Sequence, residues 1–327
     1  MGVGSRQTLT AALAPGRFHC LLDELPLHLI PLQLEDKNVC PQELFLNPDC
    51  TVLAPGHVPA ELESHPDLLE NFNLERTIAW VCDPATGSLD PFWLGPRLEA
   101  ALSLLGSGDA PSVQLPSDVR TVLADANILV PSNHKERRLA QWQEIVGQGS
   151  RSFREKGYAP LRRLIHPFLI AALRRYYRQA IRRGTIRLGD DQSARRYVAH
   201  NESVARFFHH QIANVVRTIA GEAIKPSYVY FASYLGGAEL KKHTDREQCE
   251  FSVTLCLDFS PEPELATPWP IRLDSGKSSV AVYQALGDGL VYRGTQVPHH
   301  RNALPAGCTS TSIFFHYVPA DFSGPLN

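Results

Sequence analysis

Two stretches of this 327-residue chain hold side chains that could grip a metal ion from one side: His243-Thr-Asp245, and the pair His299-His300 more than 50 residues later. On extended backbone, residues two apart project on the same face, so His243 and Asp245 can reach a common ion. A histidine from a neighbouring strand would complete two imidazoles and one carboxylate, leaving the other coordination positions free for reactants. A closed structural zinc site would more often draw on cysteine and leave nothing open. The spacing alone is weak evidence, and the chain contains a second instance at His65-Pro-Asp67. There, Pro66 and the neighbouring acids read as the first turn of a helix. His209 and His210 are adjacent on a helical pattern, point about 100° apart, and read as one core-edge and one solvated side chain.

The elements around 243–245 favour that copy. After Pro226 the texture is that of short strands: Tyr228–Leu235, Phe251–Leu257, Pro270–Leu273, Ser279–Tyr283, Gly289–Arg293, Pro298–Ala303 and Ser310–Tyr317, separated by turns rich in Gly, Pro and Asp. Such spacing predicts a β-sandwich or a jelly roll. Strand parity ties the distal histidines to their neighbours: if His299 points inward so does Arg301, whereas His300 as ligand would bring in Asn302.

Upstream, the texture is helical from 135. The apolar spacing over Tyr158–Gly184 predicts one amphipathic helix, and Asn201–Gly221 predicts another, capped at both ends. Residues 94–105 and 117–128 read as two further helices with Ser117 as an N-cap, and Thr77–Leu89 as a strand entering an Asp-Pro…Gly turn. The net charge of −2 conceals segregation: residues 1–134 carry −11 and residues 135–196 carry +11. The basic helix is therefore expected to pack on the acidic N-terminal region rather than on nucleic acid. The expected architecture is α+β: a double-stranded β-helix (jelly-roll, cupin-like) core at 223–327, helical support at 135–222, and a mixed α/β accessory region at 1–134. No run of 18 apolar residues predicts a membrane span. The N-terminus lacks a signal-peptide pattern, and seven cysteines without CxxC spacing suit a reducing cytoplasm, which is the expected location.

The stretch from Tyr230 through Asp245 to Leu255 resembles the strand-and-HxD core of the Fe(II)/2-oxoglutarate-dependent oxygenases, in particular the prolyl-4-hydroxylase-like branch. Gly287-Asp-Gly-Leu-Val-Tyr-Arg-Gly, then Pro298-His-His-Arg, then Ser312-Ile-Phe-Phe-His-Tyr, resembles the family's second half, so the likeness spans roughly 225–320. It implies Fe(II) held by His243, Asp245 and His299, the histidine of the Pro-His step. It implies 2-oxoglutarate and O₂ as cosubstrates, with ascorbate as an optional reductant. The reaction implied is hydroxylation of a C–H bond in an amino acid, peptide or small metabolite, with release of succinate and CO₂. The retained Asp245 argues against halogenation. Neither nucleic acid nor membrane is an expected partner.

One departure from the family stands out. The cation that usually binds the far carboxylate of 2-oxoglutarate, about ten residues after the distal histidine, is missing: Thr309 and Thr311 stand there, and no Lys or Arg follows Arg301. A desolvated carboxylate without a cation is costly. Arg301 is the expected substitute, with Thr309, Thr311 and Tyr234 assisting; Arg293, Arg246 and Arg272 are the other candidates. Without such a cation, a cupin-like enzyme that uses no keto acid, or a non-catalytic ligand-binding jelly roll, would be the alternative.

Overall fold

The structure, a computed structural model, describes residues 16–24, 44–105, 115–275 and 278–326. Its N-terminal part contains β1 (Leu44–Leu46), β2 (Cys50–Leu53), α1 (Ala60–Glu63), β3 (Ile78–Cys82), β4 (Leu89–Trp93), α2 (Pro96–Leu105), α3 (Ser117–Asp125) and β5 (Leu129–Pro131). Strands β2, β3 and β4 form an antiparallel sheet, and β1 pairs with β5. The Asp-Pro…Gly turn closes the β3–β4 hairpin: Asp83 Oδ1 accepts from the Ala85 N–H, and Gly87 takes positive φ. Ser117 is not the cap of α3. Pro116 occupies that position, and Ser117 is the first helical residue.

The middle of the chain forms α4 (His134–Lys156), β6 (Tyr158–Leu161), α5 (Pro167–Arg182), β7 (Arg187–Leu188), β8 (Arg196–His200), α6 (Ser203–Gln211) and α7 (Ala213–Ala220). Two expectations are corrected here. Residues 158–161 form a strand, because Pro160 and Pro167 forbid a continuous helix, and α5 starts where Pro167 can occupy the first turn. The His166 side chain caps it by accepting from the Phe168 N–H. Residues 201–221 form two helices parted at Ile212, capped by the Glu202 carboxylate rather than Asn201.

The remaining strands are β9 (Ile224–Leu235), β10 (Leu240–His243), β11 (Phe251–Ser260), β12 (Ile271–Ser275), β13 (Ser278–Val282), β14 (Gly289–Arg293), β15 (His299–Arg301) and β16 (Thr309–Pro319). A seven-stranded antiparallel sheet runs β6-β14-β11-β16-β9-β8-β7, and a four-stranded one runs β10-β15-β12-β13. From β9 to β16 the chain passes back and forth between them, the winding of a double-stranded β-helix. Tyr158, Leu290 and Tyr292 of the large sheet meet Ile271, Leu273, Val282 and Val297 from the small-sheet side in one apolar cluster. The opposite parity of the large sheet (Val229, Phe231, Val253, Leu255, Ile313, Phe315) packs into a core shared with α5, α6 and α7.

That core does not stop at residue 134. Phe18, Phe72 and Trp93 pack edge-on and tilted against one another and against Tyr176, Phe207 and Phe208. The basic helix finds its main counter-ion elsewhere than expected. Arg174 and Arg178 of α5 both pair with Asp258 on β11, at 2.9 and 2.6 Å, while Arg175 reaches Glu24 at 3.7 Å. N-terminal acids meet the basic segment at Asp83–Arg138 and, beyond it, at Asp67–Arg206. Asp67, the decoy carboxylate, is thus a surface ion-pair partner. His209 is buried and bonded to the His316 carbonyl, whereas His210 is exposed. Among the described residues no helix is long and apolar enough to cross a membrane, and the six described cysteines are free.

Candidate metal centre

Strands β10 and β15 are antiparallel neighbours with His243 directly opposite His299. That register brings the two rings to 4.4 Å between centroids. Asp245, just past β10, is tied to the β14–β15 turn by its N–H, which donates to the Gly294 carbonyl at 2.8 Å. Its Oδ1 lies 3.6 Å from His243 Nε2 and 3.5 Å from His299 Nε2. Metal bonds of about 2.1 Å span edges of about 3.0–3.6 Å between neighbouring ligands, the range of these two, and the three ligand atoms all lie within 4.8 Å of one another, so the set could hold one ion.

The tautomers suit a ligand role. His243 Nδ1 bonds the Lys241 carbonyl at 2.8 Å, and His299 Nδ1 bonds the Val297 carbonyl at 3.0 Å. Each Nδ1 therefore carries its proton, which leaves Nε2 as the atom open to a metal; without one, a protonated His243 donates from Nε2 to Asp245, and its pKa is raised accordingly. Burial alone would push the Asp245 pKa up. The bond from His243, the neighbouring His316 and His299 and the Ser252 hydroxyl outweigh it and hold the carboxylate at about 2. The donor set is thus two neutral-capable imidazoles and a firmly ionised carboxylate on one side of the ion, the arrangement suited to non-haem iron with open positions.

Residues not singled out in the sequence hold this geometry. Ser252 on β11 donates to Asp245 Oδ2 at 2.7 Å and lies 2.9 Å from His316 Nδ1. Since the hydroxyl proton goes to Asp245, His316 supplies its own Nδ1 proton, and a His316–Ser252–Asp245 chain fixes the outer carboxylate oxygen. Gly294 has no room for a side chain: a Cβ would lie 2.3 Å from the Cys249 carbonyl, 2.4 Å from Asp245 Oδ2 and 2.7 Å from Ser252 Oγ. Tyr292 places its hydroxyl 3.5 Å from His299 Nε2 and 3.4 Å from Thr254 Oγ1; burial drives its pKa well up, so it remains a donor. Asp245, Cys249 and His316 also cluster within 4.8 Å. Cys249 is engaged with the Tyr228 hydroxyl at 3.0 Å and its thiol is pushed up to about 12 by burial, so this set reads as support for the carboxylate rather than as a second ion site.

The signal for these residues lay in alternation. In Phe251-Ser-Val-Thr-Leu-Cys the polar side chains occupy every second position, the parity that faces the barrel interior.

The remaining sequence-derived residues separate clearly. Arg301, two residues after His299 and on its parity, is buried, with its guanidinium 4.6 Å over the Trp269 ring. It donates to the Trp269 carbonyl at 2.7 Å and to Gln284 Oε1 at 3.4 Å. Among the described residues no carboxylate pairs with it, and burial lowers its pKa. Tyr234 packs edge-on against the same Trp269 and takes a 3.4 Å hydrogen bond from Arg196. Thr309 and Thr311 do not join them. Thr311 donates to Ser233 Oγ and sits opposite Asp258, which faces α5, so both threonines lie on the helix-facing parity and Ser310 and Ser312 on the other.

The rival cations are also placed. Arg293 pairs with Glu222 and Glu250 and lies over Phe153 and Phe251, on the helix side. Arg272 pairs in register with His300, hence with the face turned away from His299. Arg246 lies over Tyr228, 5.3 Å from its ring.

Three of the solved structures that resemble this chain illustrate the likeness. The non-heme alpha ketoglutarate dependent epimerase SnoN from nogalamycin biosynthesis is 13% identical, covering 54% of this chain and 84% of its own, with a TM-score of 0.46. A prolyl-4-hydroxylase from Pseudomonas putida is 16% identical over 53% of this chain and 98% of its own, TM-score 0.43. HygX from Streptomyces hygroscopicus, solved with nickel, 2-oxoglutarate and hygromycin B bound, is 11% identical over 52% and 86%, TM-score 0.42. No family model and no curated protein matches the chain.

Proposed function

We propose that this protein is a non-haem Fe(II)/2-oxoglutarate-dependent dioxygenase that hydroxylates a C–H bond of an amino acid, a peptide or a small metabolite. The observation that carries this reading is the pairing of an open-sided His243–Asp245–His299 set with a buried, carboxylate-free Arg301 on the same strand face as His299. A dioxygenase that uses no keto acid would have no use for that cation.

His243, Asp245 and His299 would hold the iron. When bound, the iron supplies the redox chemistry by which O₂ converts 2-oxoglutarate to succinate and CO₂ while oxidising the substrate. The chain's own part is positional. Arg301 receives the far carboxylate of the keto acid in a two-pronged grip, and Trp269 lies against the guanidinium and excludes water from it. Tyr292 offers a hydroxyl donor on the metal side of this pocket, and Ser312 supplies the hydroxyl parity first assigned to Thr309 and Thr311. His316 and Ser252 keep the outer oxygen of Asp245 occupied, so that Oδ1 remains turned to the histidines.

The test is succinate formation from 2-oxoglutarate by the Fe(II)-loaded chain in air, with a panel of amino acids and peptides. The expected result is turnover above the metal-free background that Asp245→Ala abolishes. Absence of succinate from the metal-loaded parent would remove the keto acid from the reading.

A further inference from the structure

Neutral groups alone set the orientation of the Arg301 fork. A guanidinium has five N–H donors, and among the described residues two of these are committed. One Nη1 proton goes to the Trp269 carbonyl at 2.7 Å and one Nη2 proton to Gln284 Oε1 at 3.4 Å. Trp269, two residues before β12, is itself fixed by its indole N–H, which donates to the Asn302 carbonyl at 2.7 Å. The other support, Gln284, stands two residues after β13 and is 3% exposed.

The Gln284 amide cannot turn over. Its Nε2 donates to the Thr254 carbonyl at 2.8 Å and to the Asp288 carbonyl at 3.0 Å. Carbonyls only accept, so the nitrogen belongs on that side and Oε1 is left facing Arg301. The backbone carbonyl of Gln284 also accepts from the Thr267 N–H at 2.8 Å, which holds the strip leading to Trp269 alongside. One residue thus ties both supports of the guanidinium to β11 and to the Gly287-Asp-Gly turn.

The residue type matters. Position 284 shares the parity of Val280 and Val282, which join the apolar cluster between the sheets, so packing alone calls for an apolar side chain. Charge pairing alone calls for glutamate, since a buried arginine is costly without an anion. Glutamine does neither: it offers one acceptor and no charge. Cys256 and Tyr292, which also lie near Arg301, stay neutral as well, because burial pushes the thiol up to about 12 and raises the phenol well above its usual value.

We propose that Gln284 is a positioning residue for 2-oxoglutarate: it aims Arg301 without neutralising it, so that the far carboxylate of the keto acid becomes the missing counter-ion. This rests on the assignment of Arg301 to the keto acid, and the test separates the two.

The experiment is calorimetric titration of 2-oxoglutarate into the anaerobic, Co(II)-loaded full chain at about pH 8, where a carboxylate beside Arg301 is ionised. It compares the parent with Arg301→Met, Gln284→Glu and Gln284→Met. Gln284→Glu keeps the shape and gives Arg301 an internal anion, so affinity falls roughly 100-fold. Gln284→Met keeps the length and removes the acceptor without adding charge, so affinity falls only about three- to tenfold. Co(II) affinity stays parental in both, since none of the hydrogen-bond partners of Gln284 is a metal ligand. If Gln284→Glu does not fold, because its second oxygen faces two carbonyls, Gln284→Met alone decides. A parent that does not bind the keto acid, or parental affinity in Arg301→Met, removes the Arg301 assignment itself. If Arg301→Met loses the keto acid while Gln284→Met stays within about twofold of the parent, or the glutamate variant binds no more weakly than the methionine one, the role of Gln284 alone is overturned.

Discussion

Arg301→Met replaces a buried guanidinium with an apolar side chain of similar reach, and it separates two quantities that a framework residue would move together. In the parent, Arg301 is 5% exposed, and its guanidinium stacks on Trp269 at 4.6 Å and has no carboxylate partner among the described residues. Hydrogen bonds to charged groups are worth about 1.5–3 kcal/mol each, and a fork can make two. Losing that grip, about 3–4 kcal/mol, corresponds to a fall in 2-oxoglutarate affinity of roughly 100- to 1000-fold. The ligand-free fold responds differently. Removing an unpaired buried charge is favourable by about 1–4 kcal/mol, while the stacking on Trp269 and the bond to its carbonyl return about 1–3 kcal/mol in the other direction. The melting temperature of the ligand-free variant is therefore close to the parent's or above it. Titration of 2-oxoglutarate into anaerobic, Co(II)-loaded protein measures the first effect. Calorimetry with and without the keto acid measures the second: the ligand raises the melting temperature of the parent but not of Arg301→Met. Affinity within threefold of the parent, or a large loss of stability without ligand, would refute the assignment and leave Arg301 a structural cation.

Ser252→Ala removes the donor to Asp245 Oδ2 and the partner of His316, so metal affinity falls about 10- to 100-fold in competition with a chelator; an unchanged affinity would mean that the His316–Ser252 chain is idle. Gly294→Ala drives a methyl group into the Cys249 carbonyl and Asp245 Oδ2, costing about 1–3 kcal/mol of stability in urea unfolding and a still larger loss of metal binding; parental metal affinity would contradict the crowding at Asp245. Asp125→Asn tests the sign of a buried carboxylate. With a folded pKa of about 7 against about 3.9 unfolded, the unfolded chain loses its proton first, so the parent's stability declines as pH rises from about 4 to 7, and the asparagine variant does not share the decline. The gap in unfolding free energy between variant and parent widens over that window by on the order of 2–4 kcal/mol; a gap constant with pH would refute the raised pKa.

Local chemistry made much of the barrel legible. The strands from Tyr228 to Tyr317 emerge near the positions their turns mark, because Gly, Pro and Asp punctuate a β texture whatever packs against it. His243, Asp245 and His299 converge because side chains two apart on a strand share a face, a consequence of backbone geometry alone. The same rule placed Arg301 with His299 and turned His300 away. Where two local signals competed, one sequence could not arbitrate. The apolar spacing at Tyr158–Ile165 suits a helix or a strand; Pro160 weighs against the helix, and pairing with β14 makes the segment a strand.

Other features were settled by parts of the chain distant in sequence. Ser252 and His316 are 64 residues apart and meet only because β11 and β16 are neighbours in the large sheet. Which face of β16 is inward is decided by what packs on it: Ile313 and Phe315 join the helix-side core, so Thr309 and Thr311 lie on that side and Ser312 takes the inward place. That Arg301 has no carboxylate beside it, and that the Asp125 side chain has no hydrogen bond, among the described residues, are facts about everything around them. Residue type and spacing determined which groups could act, since these follow from covalent geometry. Burial and pairing belong to the folded whole, since solvent is excluded from a charge by all its neighbours at once.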